Sequence, residues 1–352
     1  MVISTQFLVD LFISGTACFL ASFFACLIMR RVGLHDVPGN RSSHLIPTPR
    51  GGGIGIFSGV LLGAFFFASF DGVAFLGPYL IWIIFAICTF LMAALGLLDD
   101  FKALRASTRL SIQFLIAAAF TGFGVSLQTL TIPFFGDINL GAWGPLLTVM
   151  WIVGFTNVFN FIDGLNGLSI GQTVIACFFL TLVAWHHQNI PVFDLSFIFC
   201  TAGLGFLVLN FPRGLIFLGD NGSYFVGFFW AGLALISSII GVSEISFWTF
   251  PLLFFMAIMD ISITLTHRLI KRRNIFEPHR EYHMQLLHRS GWSHSKVSLL
   301  YWGFSILQGI LVLLMQKTPV YQHLYFYLPM IGLAAFFFPW VRRHARQAQV
   351  AF

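Results

Sequence analysis

Charge is what this chain lacks. Of its 352 residues only 19 are Lys or Arg and 13 are Asp or Glu, 9% of the whole, while 58% are hydrophobic. Roughly a quarter of an ordinary globular chain is charged, because a folded surface must be wetted, so a soluble protein of this length is excluded. Cysteine is scarce as well: Cys18, Cys26, Cys88, Cys177 and Cys200 all lie inside apolar runs and form no C-x-x-C pair. A disulfide-rich scaffold is thereby excluded, and the thiols read as small core or lipid-facing groups. Basic residues are missing from the start of the chain, where none precedes Arg30 and Arg31, so the first apolar run reads as a retained helix rather than a signal peptide. With no internal repeat, linker or low-complexity tail, residues 1–352 read as one integral domain, an all-α polytopic membrane protein.

Crossing the hydrocarbon takes about 20 apolar residues per helix. Eleven runs qualify as transmembrane helices: 5–29, 51–70, 74–98, 109–127, 145–160, 167–186, 194–211, 222–240, 246–270, 297–316 and 322–341. The fifth is short, and its approach over 128–144, with Gly136, Gly141 and Trp143, suits an interfacial turn or hairpin. Basic residues are retained on the cytoplasmic side of a membrane. One set of loops holds 18 of the 19 Lys and Arg, and the other has Lys317 alone. The N-terminus is therefore expected outside and the C-terminus in the cytoplasm. The formal charge of +6 is concentrated at membrane edges, which points to anionic lipid headgroups rather than to nucleic acid.

Ionisable groups near a bilayer are costly, so each is a candidate for function. Asp36, Asp99, Asp100, Asp163, Asp220, Glu277 and Glu281 fall in the loops expected to be cytoplasmic, whereas Asp71, Asp137, Asp194 and Glu244 are scattered singly on the other side. Asp260 lies within a span and should point into a groove or toward a helix partner. Asp99 and Asp100 end the run Gly96-Leu97-Leu98-Asp99-Asp100; two adjacent like charges call for a metal, a role as a base, or the nearby Lys102, Arg105 and Arg109. In the stretch from Asn157 to Gly167, Asn157 and Asn160 share a helical face, Asp163 and Asn166 follow, and Gly164 and Gly167 permit tight turns. Such amide and carboxylate oxygens suit Mg²⁺. Phe217-Leu218-Gly219-Asp220-Asn221-Gly222-Ser223 opens a span, and backbone amides at a helix start favour phosphate. Phosphate and Asp220 repel, so their coexistence suggests a bridging cation. The long loop from Lys271 to Ser295 carries His279, Arg280 and His283, suited to an anionic substrate. Arg50 precedes three glycines at another helix start, a weaker phosphate signal. His186 and His187 read as interfacial, and Arg342, Arg343 and Arg346 as topology determinants.

Three of these motifs, L-G-L-L-D-D, N-x-x-N-x-x-D-G-x-N-G and F-L-G-D-N-G-S, stand in order and on one face. Together they resemble the polyprenyl-phosphate N-acetylhexosamine-1-phosphate transferases, relatives of the phospho-MurNAc-pentapeptide translocase. The resemblance implies that Asp99 and Asp100 are the paired catalytic aspartates, that Asn160 and Asp220 bind Mg²⁺ (or Mn²⁺ in its place), and that Phe217, Gly164 and Asn166 line a uridine pocket with Phe217 stacked on the base. Asn157, Asp163, Arg109, His279, Arg280 and His283 complete the substrate-binding set it implies. Asn166 stands where some bacterial relatives have Asp. The loop from Phe276 to His283 lacks the H-x-H-H cluster and is nearer the H-R-x-H form associated with deoxy-aminosugars, with Tyr282 where a His is usual.

The implied activity is transfer of an N-acetylhexosamine 1-phosphate (GlcNAc, or a deoxy-aminosugar such as FucNAc or QuiNAc) from a UDP-sugar to undecaprenyl phosphate, releasing UMP. That step would initiate a cell-surface polysaccharide such as O-antigen, at the cytoplasmic face of a bacterial inner membrane. The partners implied are undecaprenyl phosphate, the UDP-N-acetylhexosamine and membrane lipids, with a homodimer suggested by relatives. The rival class is a transporter or flippase, but carriers set their ionisable groups near the midplane, often on repeats.

Overall fold

The computed structural model describes residues 4–32, 34–36, 46–70, 79–239, 245–275, 277 and 279–352. The predicted Asp71 and Glu244, and the loop residues Arg41 to Leu45, lie outside them. Helices dominate because a backbone in hydrocarbon must satisfy its own hydrogen bonds. They are α1 (Thr5–Val32), α2 (Gly52–Phe70), α3 (Tyr79–Lys102), α4 (Ala106–Gly122), α5 (Trp143–Ile162), α6 (Leu168–His186), α7 (Ile190–Asn210) and α8 (Gly219–Ile239). After these come α9 (Thr249–Leu253), α10 (Phe255–Ile270), α11 (His283–Arg289), α12 (His294–Met315), a 3-10 helix (Val320–Tyr327) and α13 (Leu328–Gln347). Among the described residues, seven helical stretches are long and apolar enough to cross a membrane: α1, α3, α5, α6, α7, α12 and the 3-10 helix continued by α13. The other predicted spans coincide with α2, α4, α8 and the pair α9 and α10, which fall short of that measure.

Two antiparallel pairings interrupt the helices. β1 (His35–Asp36) pairs with β2 (Thr48–Pro49), and β3 (Thr129–Ile132) forms a hairpin with β4 (Gly136–Asn139) in the stretch where a hairpin is expected. Arg50, directly after β2, bridges to Phe217 and so ties the start of α2 to the start of α8.

Small residues allow the closest helix approaches, as in lipid, where packing rather than hydrophobicity drives association. Gly55, Gly59 and Gly63 form a ladder on α2 against Cys18, Ser22 and Cys26 of α1. The central helix is α8, buried on all sides from Asn221 to Ser237 and packed against α3, α5 and α2. A Cβ on Gly96 of α3 would lie 2.2 Å from the Asp220 carbonyl oxygen, and one on Gly227 of α8 would lie 2.6 Å from Thr156 Cα of α5. These two contacts set the three motif-bearing helices side by side.

The single span expected over 246–270 is instead broken at Phe254 (φ −121°, ψ 19°), separating α9 from α10. Pro251 contributes no N–H to the helix ladder there. Gln308 of α12, fully buried, meets the break: with its amide nitrogen toward the Leu253 carbonyl and its oxygen toward the Met256 N–H, both contacts are 2.8 Å. A polar side chain from a neighbouring helix thus satisfies groups the break leaves open.

Candidate functional site

Helix ends carrying the motifs converge on a cleft of about 980 Å³. Its walls come from the end of α3, the start of α4, the end of α5 with the loop after it, the start of α8, and residues of the basic loop from His279 to Arg289. A second cavity of about 500 Å³ lies at the opposite helix ends, beside β3, His187 and His323.

The paired aspartates, placed by sequence at the end of a span, occupy the last turns of α3 and point different ways, which relieves their mutual repulsion. Asp100 accepts from the Asp220 and Asn221 backbone N–H groups at 3.1 and 3.0 Å, so its charge sits on the positive start of α8. Gly219 makes that approach possible: its φ is +80°, and a Cβ there would lie 2.8 Å from Asp100 Oδ2. Arg50 bridges Asp100 at 3.4 Å and Asp36 at 2.6 Å. Asp99 is buried and accepts from the Leu104 N–H at 2.8 Å, Arg109 at 3.0 Å and the Tyr224 hydroxyl at 2.9 Å. Lys102 and Arg105, also expected to neutralise the pair, are exposed.

On α5, Asn160 donates to Asp220 Oδ1 at 2.6 Å and to Ser223 Oγ at 3.1 Å, joining the second and third motifs. Asn157, one turn earlier, donates to Gln113 Oε1 at 2.7 Å and to the Val153 carbonyl at 2.8 Å. Asp163 accepts from Ser169. Burial pushes its carboxyl up to about 8, with Asp220 and Asp100 adding repulsion and the Ser169 hydrogen bond pulling the other way. In the loop, Gly167 adopts φ +74° against the Phe211 ring and donates to Asn210 Oδ1 at 2.5 Å. Asn166 donates through its side chain to the Pro212 carbonyl at 3.3 Å and accepts from Ser298 at its backbone oxygen at 2.7 Å. Phe217 is fixed through its backbone, donating to Pro49 O at 2.8 Å and accepting from Gly52 N–H at 2.9 Å.

The opposite wall is the basic loop. His279, Arg280 and Tyr282 all line the cleft. Tyr282 stacks on Phe161 of α5 (centroids 5.5 Å apart) and lies 4.7 Å from the His279 ring. Burial, then the Arg268 charge, holds the His279 imidazole below its usual range, favouring the neutral form.

Of the residues singled out from sequence, Asp100, Arg109, Asn157, Asn160, Asp163, Gly164, Asn166, Phe217, Asp220, His279 and Arg280 all line this one cleft. Asp99 and His283 do not. Asp99 stands behind Arg109, and His283 is fully buried against Asp260. Arg50, a weak signal in the sequence, lines the cleft, as do Gln285, which no motif marks, and Arg289 of the basic loop; Tyr224, also unmarked, follows the third motif directly, and Arg50 stands next to the glycine run. Asp194, expected in an external loop, is buried inside α7.

Among the described residues no three His, Cys, Asp or Glu side chains converge closely enough to chelate an ion by themselves. Asp220 beside Asn160, with Asp163 repelled by Asp220, nevertheless fits a hard divalent cation held by one or two protein oxygens and completed by water and phosphate, as Mg²⁺ commonly is.

Known proteins align with this arrangement. The family model for glycosyl transferase family 4 matches residues 82–238, which contain all three motifs. A probable undecaprenyl-phosphate N-acetylglucosaminyl 1-phosphate transferase of Bacillus subtilis is 28% identical over 84% of this chain and 81% of its own length. A decaprenyl-phosphate N-acetylglucosaminephosphotransferase of Mycobacterium tuberculosis is 30% identical over 83% of this chain and 79% of its own. A phospho-N-acetylmuramoyl-pentapeptide-transferase of Leuconostoc citreum is 34% identical over 52% of this chain and 55% of its own.

Proposed function

This chain belongs to glycosyl transferase family 4, and from that premise we propose that it transfers an N-acetylhexosamine 1-phosphate from a UDP-sugar to undecaprenyl phosphate, releasing UMP. The observation that carries the reading is the make-up of the cleft. Its acidic and amide groups face Arg50, Arg109 and Arg280, and the same cavity continues along Leu110, Phe114, Met150 and Val153 of α4 and α5. A substrate anionic at one end and hydrocarbon at the other suits such walls. The setting is the cytoplasmic face of a bacterial inner membrane, in keeping with the basic residues of the loops that line the cleft.

An oxygen of the acceptor phosphate attacks the sugar-linked phosphorus of the donor. A new P–O bond forms, the pyrophosphate bond breaks, and its electron pair leaves on UMP. Both partners are anionic, so the site must offset repulsion between them. Arg109, oriented by Asp99, and Arg280 supply fixed positive charge, while Asp100 holds the start of α8 and Arg50 in place. The acceptor phosphate is already ionised at neutral pH, so the aspartates act chiefly by orientation. Asp220 and Asn160 would hold Mg²⁺, which contributes charge neutralisation and Lewis acidity at the phosphates. Phe217, with Gly164 and Asn166, offers a face and an edge for the uracil ring.

Purified protein supplied with Mg²⁺, undecaprenyl phosphate and a panel of UDP-N-acetylhexosamines is expected to form a lipid-linked sugar pyrophosphate, detected by mass spectrometry. GlcNAc, FucNAc and QuiNAc donors identify the sugar. Absence of lipid product with every donor overturns the reading.

A further inference from the structure

Beneath the basic loop lies a buried polar cluster whose side chains do not line the cleft. Asp260 of α10 and His283 of α11 are completely buried, and Arg342 of α13 is half-buried. Arg342 Nε–H lies 3.1 Å from His283 Nε2, and a guanidinium can only donate, so Nε2 carries no proton. The imidazole proton is therefore on Nδ1 and is donated to Asp260 Oδ1 at 2.8 Å. Asp260 also accepts from the His283 and Met284 backbone N–H groups at 2.7 and 3.1 Å and from the Tyr301 hydroxyl at 2.6 Å. A buried carboxylate is thus fully hydrogen-bonded, and the balancing cation stands one imidazole away. Removing either neighbour leaves a buried charge uncompensated, the costly case for ion pairs.

We propose that Asp260, His283 and Arg342 are a positioning relay that sets the stance of His279, Arg280 and Tyr282 on the cleft wall, an inference that rests on the transferase reading above and sets the donor sugar against this loop, whose sequence resembles the H-R-x-H form of relatives using deoxy-aminosugars. Tyr282 and His283 are adjacent in sequence: one stacks on Phe161 at the cleft and the other is locked to α10 and α13. Glu281, paired with Arg268 and with Arg273 at 3.0 Å, fastens the same segment from its other side. With its proton committed to Asp260 and its lone pair to Arg342, His283 acts through the loop and not on a substrate. Its required property is one donor and one acceptor on opposite sides, which a glutamine amide also has.

The test compares His283→Ala with His283→Gln. A misplacement of about an ångström costs on the order of a hundredfold in catalysis, so His283→Ala is expected to raise KM for the UDP-sugar by about tenfold or more, with the lipid KM nearly unchanged. His283→Gln is expected to restore donor KM to within about threefold of wild type. A glutamine variant as impaired as the alanine one overturns the relay, because the imidazole itself would then be needed. Equal loss of affinity for both substrates overturns it too, since general loosening does not discriminate between donor and lipid. Hydrogen exchange of residues 279–289 without substrate gives a readout independent of the proposed activity: protection should fall in His283→Ala and persist in His283→Gln. Unchanged exchange in the alanine variant refutes the relay even if no donor is ever found. Arg342→Met, at the half-buried end, should reproduce the alanine result without emptying the core.

Discussion

Divalent-cation binding in the cleft is expected to expel more than one proton per ion at neutral pH, from Asp163 and from Asp220, whose carboxyl burial and the Asp100 and Asp99 charges push up to about 7. The Asp163 carboxyl is pushed up to about 8 by burial and by the charges of Asp220 and Asp100. At pH 7 a group with that value is about nine-tenths protonated. A cation at Asp220 displaces about half a proton from that carboxyl and reverses the sign of the local field, and if Asp163 then returns to the usual carboxylate range, about 0.9 proton more leaves with each ion bound. Apparent affinity should accordingly rise with pH by more than about tenfold per unit below about pH 7, less steeply between 7 and 8, and level off above that. Calorimetric titration with Mg²⁺ or Mn²⁺ at pH 7, in two buffers of different ionisation enthalpy, counts the protons. Asp163→Asn should cut the release to about the half proton that Asp220 supplies and flatten the pH slope accordingly. Zero release in the wild type, or undiminished release in Asp163→Asn, refutes the reasoning. The same group acts on stability. With its value raised in the folded state from 3.8 to about 8, its contribution is complete below pH 3.8 and lost as pH rises through 8.

Other consequences follow from individual contacts. Tyr224→Phe removes one of three donors to Asp99 and should lower kcat/KM by about tenfold, a net hydrogen bond to a charged group being worth about 1.5–3 kcal/mol. Gln308→Leu leaves the Leu253 carbonyl and the Met256 N–H unsatisfied at the α9–α10 break and should cost about 1–3 kcal/mol in each case, read as a lowered unfolding midpoint in detergent. Gly53→Ala sets a Cβ 2.3 Å from Gly222 N and Cα, so α2 and α8 must separate, and both thermal stability and activity should fall. Chiral-phosphate analysis of the product is expected to show inversion at the transferred phosphorus; retention would require a covalent intermediate instead of direct attack.

The residues that line the candidate site were largely legible in the sequence because they are expensive ones: an Asp or Asn at a helix end in an apolar chain stands out whatever the fold. The three motifs are far apart along the chain, and Gly96 and Gly227 bring their helices together, yet the glycines themselves carry no sign of which neighbour they admit. Residues whose role depends on a partner were harder to read. His283 has the same local composition as His279 beside it, and only the tertiary positions of Asp260 and Arg342 separate a buried brace from a cleft residue. Asp99 and Asp100 are likewise adjacent in sequence, but successive residues of a helix diverge in direction, so one faces Tyr224 and the other the start of α8. Hydropathy read through the α9–α10 break because Gln308, which stabilises it, lies more than fifty residues downstream. Arg50 reaches the cleft through its bridge to Phe217, a pairing that no local pattern announces.

The most direct measurement is the identity of the nucleotide released when purified protein, Mg²⁺, undecaprenyl phosphate and a UDP-N-acetylhexosamine react. Transfer of the sugar together with its phosphate liberates UMP in amounts equal to the lipid-linked product, and that is the result expected. Release of UDP, which marks transfer of the sugar alone, or lipid product without any nucleotide set free, would contradict it.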